Sequence, residues 1–353
     1  EEGAGCYADA APSDSGDFVL LAHAFPELCG LLQAAGLASA AAIATTCRSA
    51  HAVQEMLPEV AAALPGAGVL LARAEYAQLL KSPDVFAGSW SEVQLPQGVP
   101  MYLNNAATFY GDRLYIVGGG APYMDQCVAC AASYDVEEGT WQELLPMPTA
   151  RSHCAAVGAS GRLMVIGGQA EDHQPLGVVE AFELLTGQWG KWTSLPTSLS
   201  WCSAVHVQTL TTIVAMGCGD SGMQLFRGDL LTQSWVGLPP MPRERWHPAM
   251  VEASQYLFTI GGVILPDEDV GAVDVFDLRS GVWASNLIVP DMPEPRSHPA
   301  VCACRGRIYV LGGLQAGPVD TVQCLDMWSR TWHRLPDMND SLSATGTAIT
   351  TLL

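Results

Sequence analysis

The sequence predicts a mainly β chain, a β-propeller carrying a small N-terminal α-helical segment, and three observations lead there. A short apolar run ending in glycine occurs five times, at Leu114–Gly119, Leu163–Gly168, Ile213–Gly219, Leu257–Gly262 and Ile308–Gly313. The series Trp90, Trp141, Trp189, Trp235, Trp283, Trp332 advances in steps of 51, 48, 46, 48 and 49 by subtraction. A third series, Leu103, Arg151, Leu199, Arg245, Arg296, Ser343, opens the units in steps of 48, 48, 46, 51 and 47. A four-stranded unit of this length cannot cover both faces of its own sheet, so its copies must stack around a ring.

Each unit reads as four strands. The first is built from small residues, as in Arg151-Ser-His-Cys-Ala-Ala-Val157 and Arg296-Ser-His-Pro-Ala-Val301, and the second is the apolar run itself. Glycines at its end allow a backbone approach that a Cβ would forbid. A third strand pairs an apolar residue, usually aromatic, with an acid: Tyr134-Asp135, Phe182-Glu183, Phe276-Asp277 and Leu325-Asp326. The fourth carries the periodic Trp, large enough to fill the wedge between neighbouring units. Leu-Pro or Met-Pro turns then close the unit.

The two chain ends are expected to share a sixth blade. Trp90 marks its outer strand, Ser343 to Thr350 its inner strand and Asp84-Val-Phe86 a short third strand, which leaves the blade incomplete unless the chain continues past Leu353. The expected organisation is an acidic flexible tail over 1–17, a helical segment over 18–83 and the propeller over 84–353. The helical reading rests on Ala and Leu, interrupted by Pro26, Pro58, Pro65 and Pro83.

The double glycine, the spaced aromatic with its acid and the Trp together resemble Kelch repeats, over roughly residues 85 to 350. Phe25-Pro-Glu-Leu28, followed by Leu31-Leu32, Leu37, Ile43 and Thr46-Cys-Arg48, resembles an F-box. That resemblance implies docking on an adaptor of cullin-RING ubiquitin ligases, with Phe25, Pro26, Leu28, Leu32 and Leu37 as the adaptor contacts.

Composition narrows the function. Sixteen Lys plus Arg against 36 Asp plus Glu leave a formal charge of −20, which repels a phosphate backbone, so no nucleic-acid partner is expected. Only Lys81 and Lys191 are lysines, so the positive sites are almost all planar arginine forks. Eleven cysteines are too many by one for full pairing and point to an intracellular reducing compartment, cytoplasmic or nuclear, with an organelle left open. The uncharged stretch Leu28 to Cys47 is too rich in Ala, Gly and Gln for membrane insertion to be expected. The N-terminus has neither the pattern of a secretory leader nor that of a transit peptide.

Few constellations carry chemistry. Cys127-Val-Ala-Cys130 has zinc-ligand spacing, and Cys302-Ala-Cys304 places two thiols on one strand face, but the register puts the pairs in different blades. His153, His247 and His298 share one repeat position, a pattern that suits either a metal centre or backbone satisfaction at the channel mouth. No phosphate loop, nucleophile elbow or spaced carboxylate pair is present. The expectation is therefore no catalytic residue, no metal and no cofactor.

Recognition of protein partners is the remaining class. Arg151, Arg245 and Arg296, at the starts of first strands, are expected to gather at one entrance of the ring, where arginine forks suit carboxylates. Trp246, Trp201 and the three histidines complete this candidate mouth. The alternative for each arginine is an ion pair with an acid of the repeat itself. The most specific expectation is a substrate receptor of a cullin-RING ligase, holding an adaptor through the helices and a target at the mouth. The alternative is a scaffold or accessory subunit of a stable assembly.

Overall fold

The computed structural model describes residues 68–73, 76–81, 89–93 and 348–352 by their backbone, and residues 102–338 with short interruptions. All of these lie in one compact unit, Pro58–Leu353. The architecture is a β-propeller of antiparallel four-stranded sheets, with no α-helix among the described residues.

Five blades follow one another in the chain. Blade 1 comprises Ala106–Tyr110, Arg113–Val117, Ala131–Asp135 and Thr140–Glu143. Blade 2 comprises Ala155–Ala159, Arg162–Ile166, Val179–Glu183 and Gln188–Trp192. Blade 3 is longer: Ser200–Val207, Thr212–Gly219, Gly222–Asp229 and Ser234–Gly237, with a shift of register between Ser200 and Ser203. Blade 4 comprises Ala249–Ala253, Tyr256–Ile260, Val273–Asp277 and Val282–Trp283, with a small extra hairpin, Val263–Ile264 against Glu268–Asp269. Blade 5 comprises Ala300–Cys304, Arg307–Leu311, Val322–Asp326 and Thr331–Leu335.

A further sheet joins the chain ends in the order Ala348–Leu352, Gly68–Arg73, Tyr76–Lys81, Ser89–Val93. Its strand Ala348–Leu352 lies beside the first strands of both blade 5 and blade 1. This corrects the helical expectation over 68–73 and 76–81, and the expectation that the last sheet lacks strands. The two missing strands are Gly68–Arg73 and Tyr76–Lys81. Ala and Leu differ from strand formers by only about 1 kcal/mol in intrinsic preference, whereas the ladders of Ala348–Leu352 and Ser89–Val93 offer both hairpin strands a full set of backbone partners. The tail 1–17, the F-box-like residues and Asp84-Val-Phe86 fall outside the described residues.

The repeat residues hold blades together as their chemistry predicts. The third-strand aromatic and the fourth-strand Trp are cross-strand partners, with ring centroids 4.9 Å apart for Tyr134–Trp141, 5.1 Å for Phe182–Trp189 and 5.2 Å for Phe276–Trp283. In blades 2 to 5 the indole then reaches the link leaving the preceding blade: Trp189 Nε1 donates to Leu145 O at 2.6 Å, Trp235 to Thr193 O at 2.8 Å, Trp283 to Pro239 O at 3.1 Å and Trp332 to Pro290 O at 2.8 Å. The acid after the aromatic pairs with an arginine opening the second strand, as in Arg113–Asp135, Arg162–Glu183 and Arg307–Asp326.

Candidate functional site

The double glycines set the geometry of the channel mouth. Gly119 N donates to Arg151 O, Gly168 N to Leu199 O and Gly262 N to Arg296 O, each at 2.9 Å, so each pair grips the entry residue of another blade. A Cβ on Gly118 would lie 2.5 Å from Arg151 O, and its φ of +65° is already a glycine conformation. The next residue of each entry strand pairs with the loop leaving its own second strand: Ser152 with Gln169, Trp246 with Val263 and Ser297 with Leu314.

One residue further, the chain turns into the left-handed region. Asn104, His153, Trp201, His247 and His298 have φ of 57°, 51°, 52°, 55° and 51°. This turn lets the backbone bond from blade to blade: His153 N donates to Asn104 O at 2.9 Å, Cys202 N to His153 O at 2.9 Å and His298 N to His247 O at 3.1 Å. The register in blade 1 is thereby corrected by one residue. Asn104 is the counterpart of the histidines, so Tyr102, not Leu103, stands in the arginine series.

The turn also throws the four side chains of blades 2 to 5 together. Ring centroids are 3.8 Å apart for His153–Trp201, 5.0 Å for Trp201–His247, 5.8 Å for Trp201–His298 and 4.1 Å for the stacked pair His247–His298. Trp201 thus reaches the histidines of three other blades and is 37% exposed. The cluster borders a channel of about 1060 Å³ walled chiefly by small first-strand residues, including Ala106, Ala155, Ala204, Ala249 and Ala300. Burial holds His153 and His298 down to about 4, with the neighbouring His247 adding to the effect, and burial lowers His247 as well. The imidazoles are therefore neutral at pH 7. His153 Nε2, His298 Nδ1 and both amide atoms of Asn105, which also lines the channel, are buried without a hydrogen-bond partner.

Arg151, Arg245 and Arg296 are not mouth contacts, which corrects the expectation that they meet a target. They are 0%, 1% and 0% exposed. Arg151 donates to Gly167 O, Val178 O and Glu180 Oε2 at 3.1, 2.9 and 2.6 Å. Arg245 donates to Gly261 O, Thr259 O and Asp274 Oδ2 at 2.6, 2.9 and 2.5 Å. Arg296 donates to Gly312 O, Thr321 O and Glu294 Oε2 at 3.0, 3.0 and 2.8 Å. Every such fork is spent inside its own blade, on carbonyls at the double glycine and the third-strand entry and on a carboxylate. Burial lowers the pKa of Arg245 and Arg296.

The partner acids carry a sequence signal that motif reading passes over. Arg151–Glu180 and Arg245–Asp274 are each 29 residues apart, and Gln323 holds the corresponding place in blade 5. Trp246 is half-buried against the core between blades 3 and 4 and lies outside the ring cluster. Arg243, half-exposed, is tied to Asp274 and Asp291. Cys127 Sγ lies 3.5 Å from Ser152 Oγ and 3.4 Å from Gln169 O, within hydrogen-bonding reach of both, and none of the seven described cysteine side chains is in a disulfide. Among the described residues, no group of three or more His, Cys, Asp and Glu is arranged to hold a metal ion. None of their helices is long and apolar enough to cross a membrane.

The family model described as Kelch motif matches residues 101–148, 150–189 and 295–339. Three of the chain's repeats match the Kelch motif. Kelch-like protein terF of Aspergillus terreus (strain NIH 2624 / FGSC A1156) is 26% identical over 242 residues, which is 65% of this chain and 43% of that protein. Kelch-like protein 38 of Rattus norvegicus is 27% identical over 228 residues, 64% of this chain and 31% of that protein. The chain therefore spans less than half the length of these Kelch-like relatives. The solved structure of YjhT superposes with a TM-score of 0.59 at 15% identity, covering 71% of this chain and 88% of that one, a likeness of fold. The Kelch matches cover blades 1, 2 and 5; blade 3, with Cys218 in its glycine run, and blade 4, with its Gly261-Gly262 pair intact, lie outside them.

Proposed function

We propose that this chain is a non-catalytic protein-recognition module, a six-bladed Kelch propeller closed by the sheet that joins its chain ends. The observation that carries the reading is the exposed ring of Trp201 at the centre of a converging cluster over an open channel. Loops and strand ends gathered at a propeller mouth form a rigid recognition surface, and aromatic anchors dominate such contacts. The buried arginine forks support the same reading by fixing the frame on which these rings sit.

In its specific form, the proposal is substrate receptor of a cullin-RING ubiquitin ligase. The support is the F-box-like sequence around Phe25, Pro26, Leu28, Leu32 and Leu37 ahead of a Kelch ring. The test is isolation of the native protein and of its Trp201→Ala variant, with every stoichiometric partner identified by mass spectrometry. A cullin adaptor on both, with a second protein lost from the variant, supports the receptor role. A fixed set of partners without adaptor makes the chain a scaffold, and partners indifferent to Trp201 remove the mouth from the account.

A further inference from the structure

The charge of the mouth says what kind of partner it takes. Its rim consists of the loops after the second strands and the links into the first strands. Carboxylates stand exposed on it at Glu171 and Asp172 of blade 2, Asp220 of blade 3, and Glu244 and Glu268 of blade 4. Asp220 follows Gly219 where blade 3 turns, and the pairing of Ser200 with Cys218 sets that turn beside the Trp201 strand. Glu244 lies over the same turn, its Oε1 2.9 Å from where a Cβ on Gly222 would sit. Among the described residues none of these five carboxylates is in an ion pair. Of the cations on the same side, Arg151, Arg243, Arg245, Arg296 and Arg334 are engaged with acids, and Lys191, the counterpart of Arg334 in blade 2, stands exposed on the outermost strand.

Two independent features inside the rim point to a ligand. Trp201, 37% exposed, stands among neutral imidazoles. Asn105, 5% exposed and lining the channel, has neither its amide oxygen nor its amide nitrogen bonded. An aromatic face attracts a cation, and a negative surround strengthens that attraction and steers the approach.

We propose that the mouth takes a cationic side chain, Arg or Lys, presented by a partner polypeptide. Its charge lies over Trp201 within the Glu171, Asp172, Asp220 and Glu244 rim, and Asn105 accepts from it through Oδ1. This rests on the mouth being the recognition surface, and it reverses the acidic target that accessible arginines would imply.

The test is a random dodecapeptide phage library panned on the whole chain, with selected peptides resynthesised with fluorescein for anisotropy titrations. The expected result is enrichment of Arg or Lys. Affinity should fall about tenfold when that residue becomes Ala, by a similar factor in Trp201→Ala, and again between low and high salt. A variant with Glu171→Gln, Asp172→Asn, Asp220→Asn and Glu244→Gln, all exposed and so expected to melt like the parent, should lose the salt dependence. Selection of acidic or uncharged peptides that still need Trp201 overturns this inference and leaves the mouth reading intact. Selection indifferent to Trp201, or no selection, overturns both.

Discussion

Arg151 and Glu180 meet inside blade 2 with Nη2 2.6 Å from Oε2, both side chains closed to solvent, and Nε and Nη1 of the guanidinium donate to backbone carbonyls. Such a pair is costly to halve. Arg151→Ala should lower the unfolding free energy by about 3–5 kcal/mol, because a buried carboxylate loses its counter-charge and keeps only the Thr149 hydroxyl. Arg151→Met with Glu180→Met together should recover most of that loss. Urea unfolding of both variants measures it, and a double variant no better than the single would refute the argument.

Two glycines separate backbone conformation from close approach. Gly111 (φ +63°) has nothing within 4 Å of a built Cβ, whereas Gly118 (φ +65°) would place one against Arg151 O. Gly111→Ala should therefore lose about 1–2 kcal/mol, the cost of the left-handed conformation. Gly118→Ala should lose several times more, since the entry strand of blade 2 must shift. Equal losses in thermal unfolding would show that the contact carries nothing.

The ring cluster should make the fold acid-sensitive. His153 and His298 sit near 4 in the folded chain against an ordinary 6.5, so the unfolded chain binds protons between these values that the folded chain refuses. Stability should be level above pH 6.5 and decline as pH falls from 6.5 to 4. His153→Gln with His298→Gln should flatten that slope in denaturation curves taken at several pH values. An unchanged slope would assign it to carboxylates instead.

Closure depends on the last strand. Ala348–Leu352 pairs with Gly68–Arg73 and lies beside the first strands of blades 1 and 5. Removing residues 348–353 leaves a row of unpaired backbone groups at the seam, and the expected result is aggregation or a broadened, non-cooperative melt. A sharp melt at the parent temperature would mean that the seam is not part of the cooperative unit.

Much of this molecule is legible in its sequence, because a repeat writes the same physical requirement several times. The glycine pairs, the aromatic–Trp cross-strand pairs and the order of the strands follow from spacing alone, since each answers to contacts local to one blade. Residues 68–81 misled because their Leu and Ala content records intrinsic preference, while their strands are made by partners more than 250 residues away, as Gly68 with Leu352. The arginines misled for a related reason: position in a repeat places a residue at the mouth, yet the direction of its side chain decides whether it faces solvent. Only the folded ring shows Arg151, Arg245 and Arg296 turned inward onto carbonyls and acids, and the next turn of backbone, at positive φ, throwing His153, Trp201, His247 and His298 together. Sequence determined the blades, because their contacts recur at a fixed period; tertiary structure decided the seam and the mouth, because both are made between blades, where no local pattern reaches.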